Sequence, residues 1–301
     1  MKILISGASG LVGTALVPHL TQGGHQVVRL VRARPAAGEA AVFWEPDAGT
    51  LDPAALEGFD AVIHLSGESI ASGRWTEAKK ARMRDSRVKS TALLAGRIER
   101  LSRPPGVLLC ASAIGYYGDR GEEILKEDSP AGKDFLAGVC QAWEAASDPA
   151  ARIGVRVVRH RFGVILSPNG GALAKMLLPF KLGLGGRIGE GRQFMSWIAI
   201  DDVLGALDHA LAPQALRGPV NTVGPRPVTN AEFTATLGRV LRRPTIFPMP
   251  AFAARLAFGE MADALLLSSQ RVVPERLLAS GYRFRYPDLE PALRHLLARP
   301  A

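Results

Sequence analysis

Three glycines at fixed spacing, Gly7, Gly10 and Gly13, follow the apolar run Ile3-Leu4-Ile5 and open a stretch from Leu11 to Leu20 that reads as a helix. The chemistry this pattern can do is to hold a dinucleotide pyrophosphate. Gly7 permits the tight turn, Gly10 lets backbone approach a phosphate where a Cβ would collide, and Gly13 lets the new helix pack closely on the strand. The unpaired amides of the first helical turn, at the positive end of the helix dipole, then favour the anion. Ser9, Leu11 and Val12 lie in the same turn and complete the expected phosphate-side contacts. A glycine-rich turn can also serve only to join strand to helix. Here it follows a strand, opens a helix, and leads through Gly23-Gly24 into a second apolar strand from Gln26 to Val31, which is the context of a nucleotide site.

The end of that second strand selects the cofactor. An NAD site wants a carboxylate there for the ribose hydroxyls, whereas this strand ends Val31-Arg32 and runs on to Arg34. A guanidinium suits a 2′-phosphate, so the sequence favours NADP(H), the alternative being that Arg32 and Arg34 are solvated loop charges. A third buried strand is expected over Phe59 to Leu65, ending in Ser66-Gly67-Glu68, and a fourth over Gly106 to Ser112. Ligands of open α/β sheets lie at the carboxyl ends of the strands, so Leu65, Ser66, Gly67, Glu68 and Ala111 are expected to face the cofactor. Glu68 could equally be an ordinary charged loop residue. Between these strands Trp75 to Arg100 reads as a helix on which Lys80, Arg84 and Arg87 share a face; spacing alone does not decide between a phosphate contact from Arg87 and a solvated charged face.

The elements that must position these groups alternate. Strand and helix signals continue with a helix over Asp134 to Ala146, a strand over Val155 to Arg159 running into Phe162 to Leu166, a strand near Met195 to Ile200, a helix to Leu211, a strand near Pro219 to Val223 and a helix capped by Thr229. The pattern predicts an α/β fold, a Rossmann-type doubly wound parallel sheet with a small C-terminal α/β substrate lobe. Residues 1–168 are expected to be mainly the nucleotide domain and 169–301 mixed, with about 195–225 returning to the sheet. Asp201 or Asp202 is read as a helix cap rather than a base. The glycines between 170 and 191 suit loops at the lip of a substrate site.

The chain of 301 residues carries a net charge of +9, which invites a nucleic-acid reading. Its basic residues are spread along the whole sequence without a run of like charge, which argues against one; the discriminator is whether the fold gathers them on one face. No apolar stretch is long enough to span a bilayer and no charged leader precedes the first strand, so a cytoplasmic protein without a membrane partner is expected, as monomer or homodimer. Cys110 and Cys140 lack metal-ligand spacing, so no metal and two reduced thiols are expected.

Several of these segments together resemble the atypical and extended short-chain dehydrogenase/reductase superfamily, in its epimerase-like group (the NAD-dependent epimerase/dehydratase family) with a short C-terminal domain of unknown function. The resemblance spans essentially the whole chain and rests on Gly7-Ala8-Ser9-Gly10-Leu11-Val12-Gly13, His64 to Ile70, Arg74-Trp75 with Ser86-Arg87-Val88, Met176 to Phe180, Leu182 to Gly186, and Gly281-Tyr282. It implies NADP(H) in a Rossmann domain, with Val31-Arg32, Leu65-Ser66 and Arg87 among the contacts and Ile165 nearby. It also favours function for Arg87.

The departure from the superfamily lies in its proton relay. Active members use a Tyr-x-x-x-Lys pair on the helix after the serine strand, commonly followed four residues later by a glutamate. Taking Glu144 as that glutamate puts Cys140 at the lysine and Leu136 at the tyrosine, and the helix contains no tyrosine at all. A histidine that related sequences tend to carry is Ala199 here. Ser112, with Tyr116 or Tyr117, could still meet a substrate carbonyl, or both tyrosines could simply pack beside the nicotinamide pocket. Two functions follow as expectations: an NADP(H)-dependent oxidoreductase acting on a small polar carbonyl or alcohol, or on a sugar-nucleotide-like substrate, and a catalytically silent NADP(H)-binding regulatory or scaffold protein.

Overall fold

A computed structural model describes residues 1–212 and 216–298. The first strand, β1 (Lys2–Ser6), has its four residues Ile3 to Ser6 fully buried, as a central parallel strand covered on both faces requires. It passes through the glycine turn into α1 (Leu11–Gln22) and returns as β2 (Gln26–Val31). The segment after β2 adds two more strands that were not expected from the sequence, β3 (Ala41–Glu45) and β4 (Thr50–Leu51). Their signal was weak because both are short and lie among glycines and prolines at the sheet edge. β5 (Ala61–His64) follows, then α2 (Glu77–Ile98), whose Thr76 side chain accepts from the Lys79 amide. β6 (Val107–Ala113) leads into a tight turn at Ile114–Tyr117.

Beyond it come the short β7 (Ile124–Leu125), α3 (Phe135–Ala145), α4 (Asp148–Arg152) and β8 (Arg156–Phe162). The sheet order is β12-β8-β6-β5-β1-β2-β3-β4, where β12 is Gly218–Thr222; every pairing is parallel except β3 with β4. The chain order reverses at β1, between β2 on one side and β5 on the other. That is the switch point at which a doubly wound sheet opens its ligand crevice, and the expected fold class is the one this chain adopts.

The remaining chain adds short two-stranded sheets and further helices to this frame. β9 (Val164–Ser167) pairs with β11 (Trp197–Ala199), with α5 (Gly171–Lys181) and β10 (Phe194–Met195) between them. α6 (Ile200–Leu211) carries six buried apolar residues onto the large core cluster. β13 (Val228–Thr229) pairs with β10, and α7 (Asn230–Leu241) starts at a capping box between Thr229 and Glu232. α8 (Ala251–Phe258) and a π-helical turn at Ala262–Leu267 precede β14 (Arg271–Val272), which pairs with β7. α9 (Glu275–Ala279) and α10 (Leu289–Ala298) end the described chain.

Asp202 is not the cap of α6. Ala199 occupies that position, and the Asp202 carboxylate is fully buried in the first turn, accepting from the Tyr282 hydroxyl and from the amides of Arg285 and Tyr286. It therefore ties the C-terminal chain to the sheet domain, a bond across 80 residues that local spacing cannot announce.

Candidate functional site

The crevice is built by backbone contact between the ends of β1 and β5. Gly7 has φ +73°, and a Cβ there would lie 2.7 Å from the Leu65 carbonyl carbon and 2.9 Å from the Ser66 nitrogen. A Cβ on Gly13 would sit 2.2 Å from the Gly7 oxygen, so the helix can approach the turn only with glycine at that place. Gly10 differs: its Cβ would meet only the Gly7 oxygen, at 3.3 Å, and the residue is exposed. Gly10 also caps α1 with no side-chain hydrogen bond, and no acidic residue stands in the first turn. These amides and this dipole end are thus uncompensated by protein, the condition an anion site needs. Ser9 is exposed beside them, with Leu11 and Val12 half-buried.

Arg32 is exposed at the end of β2 with no ion pair among the described residues, while Arg29 on the same strand is paired with Glu39 at 2.6 Å. Val31 is half-buried in register with Phe43, and the Arg34 guanidinium lies 5.9 Å from the ring centre of Phe43. The Arg32 charge therefore stands beside the crevice without an acidic partner.

The loop after β5 is held by α2. The Glu68 carboxylate pairs with Lys79 at 2.6 Å and with Arg82 at 3.4 Å, and its amide donates to Ser86 Oγ at 3.0 Å. The hydrogen bond from Lys79 holds the Glu68 carboxyl below its usual range. Arg87 rises under the same loop: a Cβ on Gly67 would meet its Cζ at 3.2 Å, Nη1 donates to the Met83 carbonyl at 2.9 Å, and the guanidinium stands 5.1 Å from the Trp143 ring centre. Burial draws its pKa down from the ordinary arginine value. Lys80, Arg84 and Arg87 lie on the uninterrupted helix α2 at the spacing the sequence predicts, but their partners differ: Lys80 is paired to Glu77 and Glu260, and Arg84 to Asp85. Behind the crevice, buried His64 joins β1 to α2, with Nδ1 2.6 Å from Ser6 Oγ and Nε2 3.2 Å from Ser90 Oγ.

At the end of β6, Ala111 and Ser112 are buried, and the Ser112 hydroxyl donates to Glu144 Oε1 at 2.7 Å. Glu144 is also held by two nitrogens of Arg161, Nε to Oε1 at 2.7 Å and Nη2 to Oε2 at 2.8 Å. Arg161 Nη1 donates to the Tyr117 hydroxyl at 3.0 Å, which in turn donates to Asn221 Oδ1 at 2.6 Å. Tyr117 has no exposed surface, and burial pushes its phenol up to about 12. Tyr116 is only partly buried; the Arg161 guanidinium lies 3.5 Å from its ring centre, and its hydroxyl has no hydrogen-bond partner among the described residues. Ile165 is half-buried on β9, paired with Ile198.

The Leu136 and Cys140 positions explain how this turn sits. A Cβ on Gly115 would lie 3.4 Å from Leu136 Cβ and 3.9 Å from Cys140 Sγ, so α3 offers an apolar seat to the Ile114–Tyr117 turn. Burial raises the Cys140 thiol to about 12, leaving it protonated and unsuited to replace a lysine.

The expected residues thus fall into two groups. The glycine turn, Leu65 to Gly67 and Arg87 converge on the switch point, whereas Ser112 and Tyr117 belong to a buried polar network and Tyr116 stands at its edge. Sequence reading missed Arg161 and Asn221 as members of that network. The available signal was Arg161 in the Arg159-His160-Arg161 run of a strand expected to join the sheet, where a charge is costly to bury without a partner.

Comparison with known proteins agrees with this geometry. Residues 3–223 match the NAD dependent epimerase/dehydratase family, and residues 249–296 match a domain of unknown function, DUF1731. An epimerase family protein of Mycobacterium tuberculosis (strain CDC 1551 / Oshkosh) is 45% identical over 298 residues, covering 99% of this chain and 98% of its own. The crystal structure of the human epimerase family protein SDR39U1 (isoform 2) with NADPH superposes with a TM-score of 0.91 at 36% identity and 100% coverage of both chains. A nucleoside-diphosphate sugar epimerase from Corynebacterium glutamicum gives 0.80 at 38% identity, over 99% of this chain and 58% of that one.

Proposed function

The chain belongs to the NAD dependent epimerase/dehydratase family, and on that premise we propose that it is an NADP(H)-dependent oxidoreductase acting on a small polar carbonyl or alcohol, or on a sugar-nucleotide-like substrate. The observation that carries the cofactor assignment is the uncompensated Gly10 turn beside the unpaired Arg32 guanidinium, in a fold that superposes on a relative crystallised with NADPH. The amides of Leu11, Val12 and Gly13 would hold the pyrophosphate, with Ser9 beside them, and Arg32 the 2′-phosphate. Bound there, NADP(H) supplies a hydride donor or acceptor.

The chain's own residues would then orient the substrate and manage its proton. Tyr116 is the candidate donor, because its hydroxyl has no internal partner and its ring rests on Arg161. Ser112 and Tyr117 would act through it: Ser112 and Arg161 hold Glu144, and Tyr117 fixes the Arg161 guanidinium under the ring. Sugar-nucleotide epimerisation needs reversible oxidation at carbon and so an effective acid-base group; Leu136 and Cys140 in place of the usual pair count against it.

A second reading, a silent NADP(H)-binding regulator or scaffold, is favoured by the same network, in which the hydroxyls of Ser112 and Tyr117 are both committed to internal partners. Titration of tryptophan fluorescence with NADPH and NADH, followed by nicotinamide absorbance across aldehydes, ketones and sugar nucleotides, separates the two. NADPH-selective binding with substrate-dependent oxidation supports the oxidoreductase. Selective binding without turnover supports the regulator, and binding of neither dinucleotide overturns both.

A further inference from the structure

The fold gathers onto one face charges that the sequence scatters. Stretch 175–187 holds three lysines and arginines and stretch 239–256 holds four, and neither contains an aspartate or glutamate. The two stretches adjoin. The Met249 amide donates to the Arg187 carbonyl at 2.8 Å, the Gly189 amide to the Met249 carbonyl at 2.9 Å, and Arg243 Nε to the Lys181 carbonyl at 2.8 Å. Arg239 and Arg255 are paired with Glu290 and Asp263, but Lys175, Lys181, Arg187, Arg242 and Arg243 have no ion pair among the described residues.

The cations frame a cavity. Arg239, Arg242 and Arg243 line a surface cavity of about 490 Å³ with Pro244 and Thr245, and an adjoining one of about 270 Å³ is bordered by Arg187 and Ile246. Arg242 ends α7 at φ 53°, ψ 47°, and is the one non-glycine residue with positive φ among the described residues. The dipoles of α5 and α7 account for cations in their last turns but not for Arg187, which comes from a loop.

The same face is apolar. Eight of the twelve large apolar side chains exposed among the described residues fall within 178–184 and 246–256. Phe252 and Leu256 on α8 are 72% and 76% exposed, with Ile246 and Phe247 beside the cavity and Leu178, Leu182 and Leu184 on the other stretch. Exposed apolar side chains concentrated on two adjoining stretches mark an interaction surface.

We propose that this face docks peripherally on an anionic lipid surface, with lipid phosphates entering between Arg187, Arg242 and Arg243 while Ile246, Phe247, Phe252 and Leu256 enter the headgroup and acyl boundary. Amphipathic surfaces with cations around exposed Phe and Leu bind membranes in this way, by adding buried apolar area to attraction for acidic headgroups. A second copy of the chain fits worse, because a two-fold contact would set the unpaired cations against those of the partner. A nucleic acid would satisfy the cations but leave the apolar side chains uncovered. The inference narrows the sequence expectation of no membrane partner to the absence of a span: among the described residues no helix is long and apolar enough to cross a membrane.

The test is flotation of the full chain with vesicles of phosphatidylcholine alone and of phosphatidylcholine with phosphatidylglycerol, at low and high salt. Variants are Phe252→Ser with Leu256→Ser, and Arg187→Glu, all at exposed positions, with NADPH binding and thermal unfolding as controls of the fold. The expected result is flotation on the anionic vesicles only, weakened by salt, lost in the double serine variant and lowered about tenfold or more by the charge reversal. Absence of flotation on anionic vesicles overturns the proposal, as does equal flotation of the variants or of neutral vesicles. Dimerisation through Phe252 and Leu256, or binding of an RNA oligomer without flotation, also overturns it.

Discussion

Glu144 and Arg161 form a two-point ion pair beneath the end of β6, with side chains 10% and 3% exposed. One carboxylate oxygen also accepts from Ser112, so the pair locks the serine that a superfamily enzyme would present to substrate. Burial penalises the Arg161 charge most, but its hydrogen bonds to Glu144 and Tyr117, together with their charge interactions, outweigh that penalty and keep the guanidinium ionised. Glu144 thus serves a buried arginine here, with no lysine a turn before it to orient.

Arg161→Ala leaves Glu144 buried without its cation. Breaking one side of such a pair costs about 3–5 kcal/mol, so urea unfolding should show a loss of that order. Glu144→Gln keeps the acceptor for Ser112 and should cost less. Equal, small effects of both changes would show that the pair does not hold the fold.

The two tyrosines should separate. Tyr117→Phe strands Asn221 Oδ1 in the core and leaves Arg161 Nη1 only the Glu127 carbonyl, and should cost about 1–3 kcal/mol of stability. Tyr116→Phe removes a hydroxyl with no internal partner, so stability should be unchanged within about 0.5 kcal/mol, while turnover, measured on whichever substrate the panel identifies, should fall by about 10²-fold or more. Undiminished turnover in Tyr116→Phe would remove it as proton donor.

The glycines of the turn should separate in the same manner. Gly13→Ala drives a Cβ to 2.2 Å from the Gly7 oxygen and should lower the unfolding temperature markedly. Gly10→Ala meets a single contact at 3.3 Å and should fold nearly normally yet bind NADPH about tenfold or more weakly. Unchanged NADPH affinity in Gly10→Ala would place the pyrophosphate elsewhere.

Arg32→Ala should weaken NADPH by about 10–100-fold, the loss of charge-assisted bonds to a phosphate, and leave NADH nearly unaffected. Calorimetric titration with both dinucleotides checks this; an equal loss of both would remove the 2′-phosphate from Arg32.

Burial lowers His64 to about 4 and His160 to about 3, so both are neutral in the folded protein near neutrality. The unfolded chain binds those protons near pH 6.5, so between the folded and unfolded values the unfolded state holds more protons and stability rises with pH. The stability is fully present above about pH 6.5 and is lost as pH falls toward 4 for His64 and 3 for His160. Each histidine should cost about 2 kcal/mol at pH 5. Thermal unfolding at pH 7 and pH 5 should show the drop, and His64→Gln should flatten it; an unchanged slope would mean that His64 titrates normally.

What the sequence determined by itself was everything carried by neighbours along the chain. The spacing of Gly7, Gly10 and Gly13 is a property of a single turn, and the apolar runs at Ile3 to Ile5, Ala61 to His64 and Val107 to Ala111 are properties of single strands, so the doubly wound sheet and its crevice were legible. So was the departure at Leu136 and Cys140, which needs only a count along one helix. Tertiary structure alone decided the partners. Glu144 meets Arg161 across 17 residues, Tyr117 meets Asn221 across 104, and Asp202 meets Tyr282 across 80, and nothing local marks which buried polar group will satisfy which. It also decided the basic apolar face. Stretches 175–187 and 239–256 look unremarkable apart, and tertiary contacts bring their charges and exposed side chains together: the Met249–Arg187 and Arg243–Lys181 hydrogen bonds and the packing of Gly186 against the Phe247 backbone, where a Cβ would lie 1.8 Å from its oxygen. Backbone geometry is encoded within a few residues, whereas desolvation must be balanced by whatever the fold brings alongside.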